Sequence, residues 1–371
     1  MLKMGSVSEL TAAAKQSEGV ILFGAGRRIG KVEGLFSGTV LIEKIRFIVD
    51  NDRFKQGTGV VIGRRCFPII SFDDFVQKDC EQMLLIITNK EYEPILAQLE
   101  RYGKFKNMKI YCMEHCEGFT REEEALKKEI PKDIRLTSEP LIPKIIHYCW
   151  FGKNPIPDEH KRYMESWKKY CPDYEIREWN ESNYDVTKNP YMYQAYKKKK
   201  WGFVPDYARL DIIYHYGGIY LDTDVEIIAG IDDLLHQLGF CGFEFNESVA
   251  FGLGFGAVKG FHMIGELLHS YDDREFIKED GSMNLIASPY YQTEFLKGKG
   301  LVLNGEYQRI DGLTVYPEKM LCGKNISTLR VRLAPYTRMI HHYAGSWVEP
   351  DVKIELDKKE ARMHKLYLGC S

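Results

Sequence analysis

Residues 205–224, PDYARLDIIYHYGGIYLDTD, decide how the rest of the chain is read. Asp206 and Arg209 stand three apart, so a helix over Val204 to Tyr216 sets both side chains on one face, able to project into one cleft. Gly217 and Gly218 end that helix. Ile219, Tyr220 and Leu221 then read as a short buried strand, whose alternation would deliver Asp222 and Asp224 on the same side. Two carboxylates at a strand end suit a hard divalent cation, with substrate phosphates supplying the remaining oxygens. The pattern therefore points to a site for a metal-bound nucleotide sugar. An isolated Asp-x-Asp is more often a pair of surface acids, and it is the surrounding order that shifts the balance.

That order, an Asp, an Arg three later, a Tyr-Gly-Gly and an Asp-x-Asp, resembles the sugar-binding region of the Asp-x-Asp glycosyltransferases of family thirty-two. The group includes bacterial capsular polysaccharide enzymes and fungal initiating mannosyltransferases, with the glucosylating toxins as more distant kin. The resemblance implies a mixed, Rossmann-like sheet of the GT-A type. It also implies that Asp206 and Arg209 contact the donor's ribose and base, that Asp222 contacts the ribose or the metal, and that Asp224 binds the metal directly.

Two flanking segments extend the match over about Ile142 to Trp347. The upstream one, IPKIIHYCWFG (142–152), reads as a strand from Lys144 to Cys149 closed by a turn at Gly152. In relatives an aromatic at the place of Trp150 stacks on the base, an interaction that contributes roughly 1–3 kcal/mol per base; a core Trp is the plain alternative. His147 in that strand reads as structural. The downstream segment, RMIHHYAGSW (338–347), resembles the His-Tyr-x-Gly end of retaining GT-A enzymes, where a His completes the metal shell. His342 aligns with that role. His341 is its neighbour, and if the segment is a strand the two point to opposite faces, so only one can reach the metal. A His ligand tilts the choice from Mg2+ to Mn2+. Ser346 and Trp347 are assigned to the diphosphate, which completes a donor-binding set with Trp150, Asp206, Arg209, Tyr220 and Asp222. Trp347 also reads as a residue that closes the core.

Bulk properties fit an enzyme with two domains: 371 residues, 44% hydrophobic and 13% aromatic. A net charge of −2 argues against a nucleic-acid binder, which needs a basic field. With no apolar run of membrane-spanning length and no apolar leader in MLKMGSVSEL, the expectation is a cytoplasmic protein. Nine scattered cysteines without a CxxC pair read as reduced thiols.

The first 115 residues follow a different grammar, with strands expected at Val20 to Gly24, Arg46 to Asp50, Met83 to Thr88 and Lys109 to Cys112, alternating with helices. That is the pattern of a smaller doubly wound parallel α/β domain. GAGRRIG supplies Gly24, Gly26 and Gly30, and Asp50 follows the second strand, as in a dinucleotide-binding fingerprint. The third glycine comes one place late, and Arg27 and Arg28 occupy the phosphate approach. The domain reads as a non-catalytic module resembling the nucleotide-binding-like domains placed before sugar-modifying enzymes. FIVDNDRFKQG, Phe47 to Gly57, carries most of that likeness, with Arg64 and Arg65 able to help hold an anion.

Residues 116–141, charged and ending in prolines, read as a linker with a short solvated helix in REEEALKKE, before a transferase domain over 142–371. YKKKKW, Tyr196 to Trp201, reads as a solvated helix end, or as a contact with the phosphates of a lipid-linked acceptor at the cytosolic membrane face. The reaction implied is transfer of a sugar from a nucleotide diphosphate sugar, UDP-linked by analogy, to a hydroxyl of a saccharide or lipid-linked oligosaccharide acceptor, as in capsular polysaccharide synthesis. Family likeness implies retention, and double displacement would draw on Glu244 or Asn246 in GFEFNES, with Glu247 on the other face. Front-face attack stays open beside it. The glycines from Phe251 to Gly256 would let backbone approach the sugar, or simply pack a bare strand. The rival classes are a phosphatase-like hydrolase acting through Asp222, a nicotinamide-dependent oxidoreductase acting through the N-terminal domain, and a binding protein with a dead transferase domain.

Overall fold

The computed structural model describes residues 2–245, 248–345, 348, 352–355, 357–358, 360–361 and 363. They divide into two compact units. One holds residues 2–123 and 327–329 together with 360, 361 and 363, and the other holds the described residues within 124–326 and 330–358.

In the first unit, β1 (Leu2–Lys3), β2 (Val20–Phe23), β3 (Ile45–Val49), β4 (Gly59–Ile62), β5 (Arg65–Ile70), β6 (Leu84–Ile87) and β7 (Lys109–Cys112) form one sheet in the order β1-β7-β6-β2-β3-β5-β4. Every pairing is parallel except the antiparallel edge β4–β5. The central strands are apolar on both faces because both are covered. Val20, Leu22, Leu84 and Ile86 pack on one side with the helix Val7–Gln16, whereas Ile21, Phe23, Leu85 and Ile87 pack on the other with Phe72, Phe75 and Leu99. The four strands expected from the sequence are present within a residue of their anticipated bounds, and the β4–β5 hairpin was not anticipated.

The REEEALKKE stretch is not a separate solvated helix. Its first six residues, 121–126, are the end of a helix Met113–Leu126 that starts directly after β7 and buries Cys116, Phe119, Glu122 and Ala125. The residues that follow do not form a free linker either: Ile134 and Ile142 are buried in the second unit's core, and the amides of Leu136 and Leu141 donate to the carbonyls of His236 and Leu235.

The second unit is a mixed α/β sheet. Its strands are β8 (Ile145–Cys149), β9 (Glu175–Trp179), β10 (Gly218–Tyr220), β12 (Gly239–Phe245), β14 (Phe255–Ala257), β15 (Gln308–Ile310) and β16 (Leu313–Tyr316), in the order β15-β16-β12-β14-β10-β8-β9, with β13 (Ser248–Val249) paired to β12. A separate ribbon pairs β11 (Val225–Ile227) antiparallel with β17 (Met339–His341). At its centre runs the helix Val204–Tyr216, buried on almost all sides as a core helix is, so that Asp206 and Arg209 are buried with it. Gly217 ends this helix at φ +66°, its amide returning to the Ile213 carbonyl at 2.8 Å. Gly218 follows at φ +103°, where a Cβ would stand 2.7 Å from the Ile145 carbonyl oxygen. His147 locks this corner, donating from Nε2 to the Gly217 carbonyl at 2.9 Å and accepting from Trp179 Nε1 at 3.0 Å.

The eight described cysteines are free, and all but Cys66 are buried. No helix among the described residues is long and apolar enough to cross a membrane.

Candidate active site

β10 points Tyr220 and the residues after it into a cleft, but alternation along a strand is not what aligns the two aspartates. The strand stops at Tyr220, and Asp222 to Val225 make a turn in which the Val225 amide donates to the Asp222 carbonyl at 3.1 Å. The turn keeps Asp222 and Asp224 on one side and sends Thr223 the other way, into a buried hydrogen bond with His160 Nδ1 at 2.8 Å. Gly252 presses on this turn: a Cβ there would collide with Asp222 Oδ2. Backbone approach in the Phe251–Gly256 stretch is thus required by Asp222 itself.

Antiparallel pairing of β11 with β17 sets Val225 opposite His341 and brings the His342 amide to the Asp224 carbonyl at 2.9 Å. The alternation of β17 then separates the two histidines. His341 turns inward, its Nε2 lying 3.3 Å from Asp224 Oδ1, and one ligand atom each from Asp222, Asp224 and His341 lie within 4.8 Å of one another. His342 turns away. Its Nε2 meets Glu226 Oε2 at 2.9 Å, and its ring stacks on Tyr163 at 3.8 Å. The structure thus brings His341, and not His342 as expected, beside the two aspartates, because the register of the ribbon and not the order of residues selects the face.

The trio fits a divalent cation on its own chemistry. Two carboxylate oxygens and an imidazole nitrogen converge, and His341 Nδ1 is buried with no hydrogen-bond partner. Burial alone would raise the Asp224 carboxyl, but the charge and hydrogen bond of His341 outweigh it and hold Asp224 well below the usual range. Burial raises Asp222, and Arg209 opposes the rise. Arg209 Nη2 lies 3.6 Å from Asp206 Oδ1 and 3.5 Å from Asp222 Oδ1, and its guanidinium sits 5.0 Å from the centre of the Tyr220 ring. Asp206 is pushed up to about 6 by burial, against the pull of Arg209.

Two cavities meet at this cluster and share Arg209, Asp222, His341 and Tyr343. One, about 280 Å³, is walled by Trp150 and Trp201. Trp150 is half-buried and held by its indole N–H on the Asn154 carbonyl at 2.6 Å. Trp201 closes against Gly152, where a Cβ would be 2.8 Å from the indole. The other cavity, about 230 Å³, is lined by Asp206, Glu244, Gly252 and Ala287 to Pro289. Burial raises the Glu244 carboxyl, with His341 opposing. Asn246, Ser346 and Trp347 lie outside the described residues.

Sequence reasoning missed Trp201, which it read only as the end of a lysine run, and Tyr343, which it passed over inside the HHYAG segment. Lys197 to Lys199 are exposed at the end of the helix Pro190–Lys197 and the turn after it, and Lys200 is half-buried.

In the first unit Gly24 adopts φ +112°, and its Cβ position is closed by Thr88 Oγ1 at 2.7 Å. Asp50 turns its carboxylate back on its own loops, accepting from the Ala25 amide at 2.6 Å and from the Asp52 amide at 2.8 Å. Arg28 pairs with Glu114 and Glu117 of the helix after β7. Gly26 and Gly30 lie around a 3-10 turn, Arg27–Gly30, instead of opening a long helix.

Residues 157–240 match the family model described as the glycosyltransferase sugar-binding region containing a DXD motif. This stretch holds Asp206, Arg209, Asp222 and Asp224 and is similar to the sugar-binding region of the DXD glycosyltransferases. Inositol phosphoceramide mannosyltransferase 3 of Schizosaccharomyces pombe is 36% identical over 99 residues, 26% of this chain and 28% of that protein. The uncharacterized glycosyltransferase L373 of Acanthamoeba polyphaga mimivirus is 35% identical over 106 residues, 27% and 42% of the two chains. The chain thus spans less than half the length of these curated relatives. A solved structure, PaToxG Glycosyltransferase, is 17% identical with a TM-score of 0.34, covering 49% of this chain and 75% of that one.

Proposed function

We propose that this protein is a metal-dependent glycosyltransferase that moves a sugar from a nucleotide diphosphate sugar, UDP-linked, to a hydroxyl of a saccharide acceptor in surface polysaccharide assembly. The observation that carries the reading is the convergence of Asp222, Asp224 and His341, beside buried Arg209, where two cavities join. Asp222, Asp224 and His341 would hold Mn2+ or Mg2+, which when bound stabilises the charge of the departing diphosphate.

The chain's own groups divide the donor between the cavities. Trp150 and Trp201 form an aromatic wall for the base, and Arg209 lies between the cavities with its charge fixed by two carboxylates. Asp206 and Glu244 face the other cavity and can accept hydrogen bonds from sugar hydroxyls. The acceptor enters by the same side. Leu285, Ile286 and Tyr290 are exposed around Ala287 to Pro289, an apolar rim that suits a lipid-linked oligosaccharide presented at a membrane face. Retention by double displacement requires an ionised carboxylate at the sugar, and burial works against Glu244 in that role. Front-face attack, in which the leaving phosphate takes the acceptor proton, makes no such demand. Glu244→Gln separates the routes: it abolishes turnover in the first and spares most of it in the second.

The test is donor hydrolysis over a panel of UDP-, GDP-, ADP- and dTDP-sugars, with and without Mn2+. Slow, metal-dependent release of one nucleotide supports the reading. Release of phosphate from simple phosphomonoesters with no sugar nucleotide cleaved would replace it with a hydrolase.

A further inference from the structure

Tyr343 has a backbone that a bulky residue rarely adopts. It lies at φ +57°, in the left-handed region, which costs a non-glycine residue on the order of 1 kcal/mol or more and persists where the surroundings demand it. What demands it here is visible on both sides of the kink. Before it, His341 presents Nε2 to Asp224 Oδ1 at 3.3 Å, and the His342 amide donates to the Asp224 carbonyl at 2.9 Å. After it, the Ala344 amide returns to Asp224 Oδ2 at 2.9 Å. An extended residue at 343 would carry the Ala344 amide away from the carboxylate. The kink lets His341 and Ala344 engage the two carboxylate oxygens of one aspartate while the His342 amide holds its backbone carbonyl.

The side chain is held as firmly. Its ring meets the His341 imidazole edge to face, 4.4 Å between centres at 83°, and its hydroxyl lies 3.2 Å from the buried Cys322 thiol. Tyr343 lines both cavities, so its ring stands at their junction.

We propose that Tyr343 is a positioning residue for the cation site: its left-handed backbone orients Asp224, and its ring fixes the plane of His341. The inference rests on the metal-site reading above.

The experiment is direct titration of Mn2+ binding, by the loss of the free-ion paramagnetic resonance signal, with thermal unfolding in chelator measured in parallel. Tyr343→Phe keeps ring and kink and binds Mn2+ as wild type does. Tyr343→Gly keeps the kink and loses the ring, and its Mn2+ affinity falls about tenfold, the scale on which groups that orient metal ligands act. Tyr343→Val loses the ring and disfavours the left-handed backbone, and its affinity falls further, towards about a hundredfold. Wild-type affinity in all three variants, whatever their melting temperatures, would overturn the proposal alone. A wild type that binds no Mn2+ would overturn the metal-site reading and the proposal with it.

Discussion

The stretch from Gly24 to Asp50 and the stretch from Gly217 to Asp224 share ingredients: a buried apolar strand, glycine in the left-handed region, and an aspartate directly after or near a strand end. In the first, the Asp50 oxygens are met by backbone amides of Ala25 and Asp52, so the carboxylate ties the loops together. In the second, Asp222 and Asp224 face each other and a histidine whose second nitrogen is buried and unpartnered. Strand and glycine say only where the chain turns. Whether the acid is scaffold or site depends on what already satisfies it.

The largest effect that would break this contrast lies in the second stretch. Asp224→Ala lowers metal-dependent donor cleavage by about a thousandfold or more, on the scale of lost electrostatic stabilisation, whereas Asp50→Asn leaves cleavage at the wild-type rate; steady-state release of nucleotide measures both. Next comes the aromatic wall. Trp201→Ala weakens binding of the free nucleoside diphosphate by roughly 1–3 kcal/mol, the contribution of one stacked base, and calorimetry that finds no change would remove Trp201 from the donor site.

A third effect concerns the corner that supports the site. Burial depresses His147 from 6.5 to about 4, with the Gly217 hydrogen bond opposing. Between these values the unfolded chain binds the proton and the folded chain does not, so stability rises with pH through that window and is lost as pH falls. Unfolding at pH 5 is easier than at pH 7 by about 2 kcal/mol from this residue alone, and His147→Gln flattens that part of the denaturation profile. The smallest effect is on the first unit, where Asp50→Asn costs about 1 kcal/mol of stability through its weakened amide bonds, read by chemical denaturation.

Much of the fold is legible in the sequence because its signals are local. Apolar runs bounded by glycine mark β2, β3, β6 and β7. The helix over Val204 to Tyr216 is legible too, since Gly217 and Gly218 stop it abruptly. The hairpin Gly59–Ile62 and Arg65–Ile70 is harder, because an edge strand with Val61 and Arg65 exposed lacks a clean apolar face. In the site, Asp206, Arg209, Asp222 and Asp224 fall within nineteen positions and can be read together. The choice between His341 and His342 cannot, since it depends on a strand pairing that joins residues 116 apart, and a shift of one residue would exchange the two faces. The tie that Asp50 makes is illegible for a similar reason: its amide partner Ala25 is 25 residues away.

The central claim is that Asp222, Asp224 and His341 form one cation site, and it is tested most directly by the Mn2+ requirement of donor cleavage in His341→Ala and His342→Ala. The account predicts that His341→Ala raises the Mn2+ concentration needed for half-maximal rate by about 10–100-fold, while His342→Ala, which loses only the Glu226 and Tyr163 contacts, keeps the wild-type requirement. The opposite pattern, or no change in either variant, would contradict it.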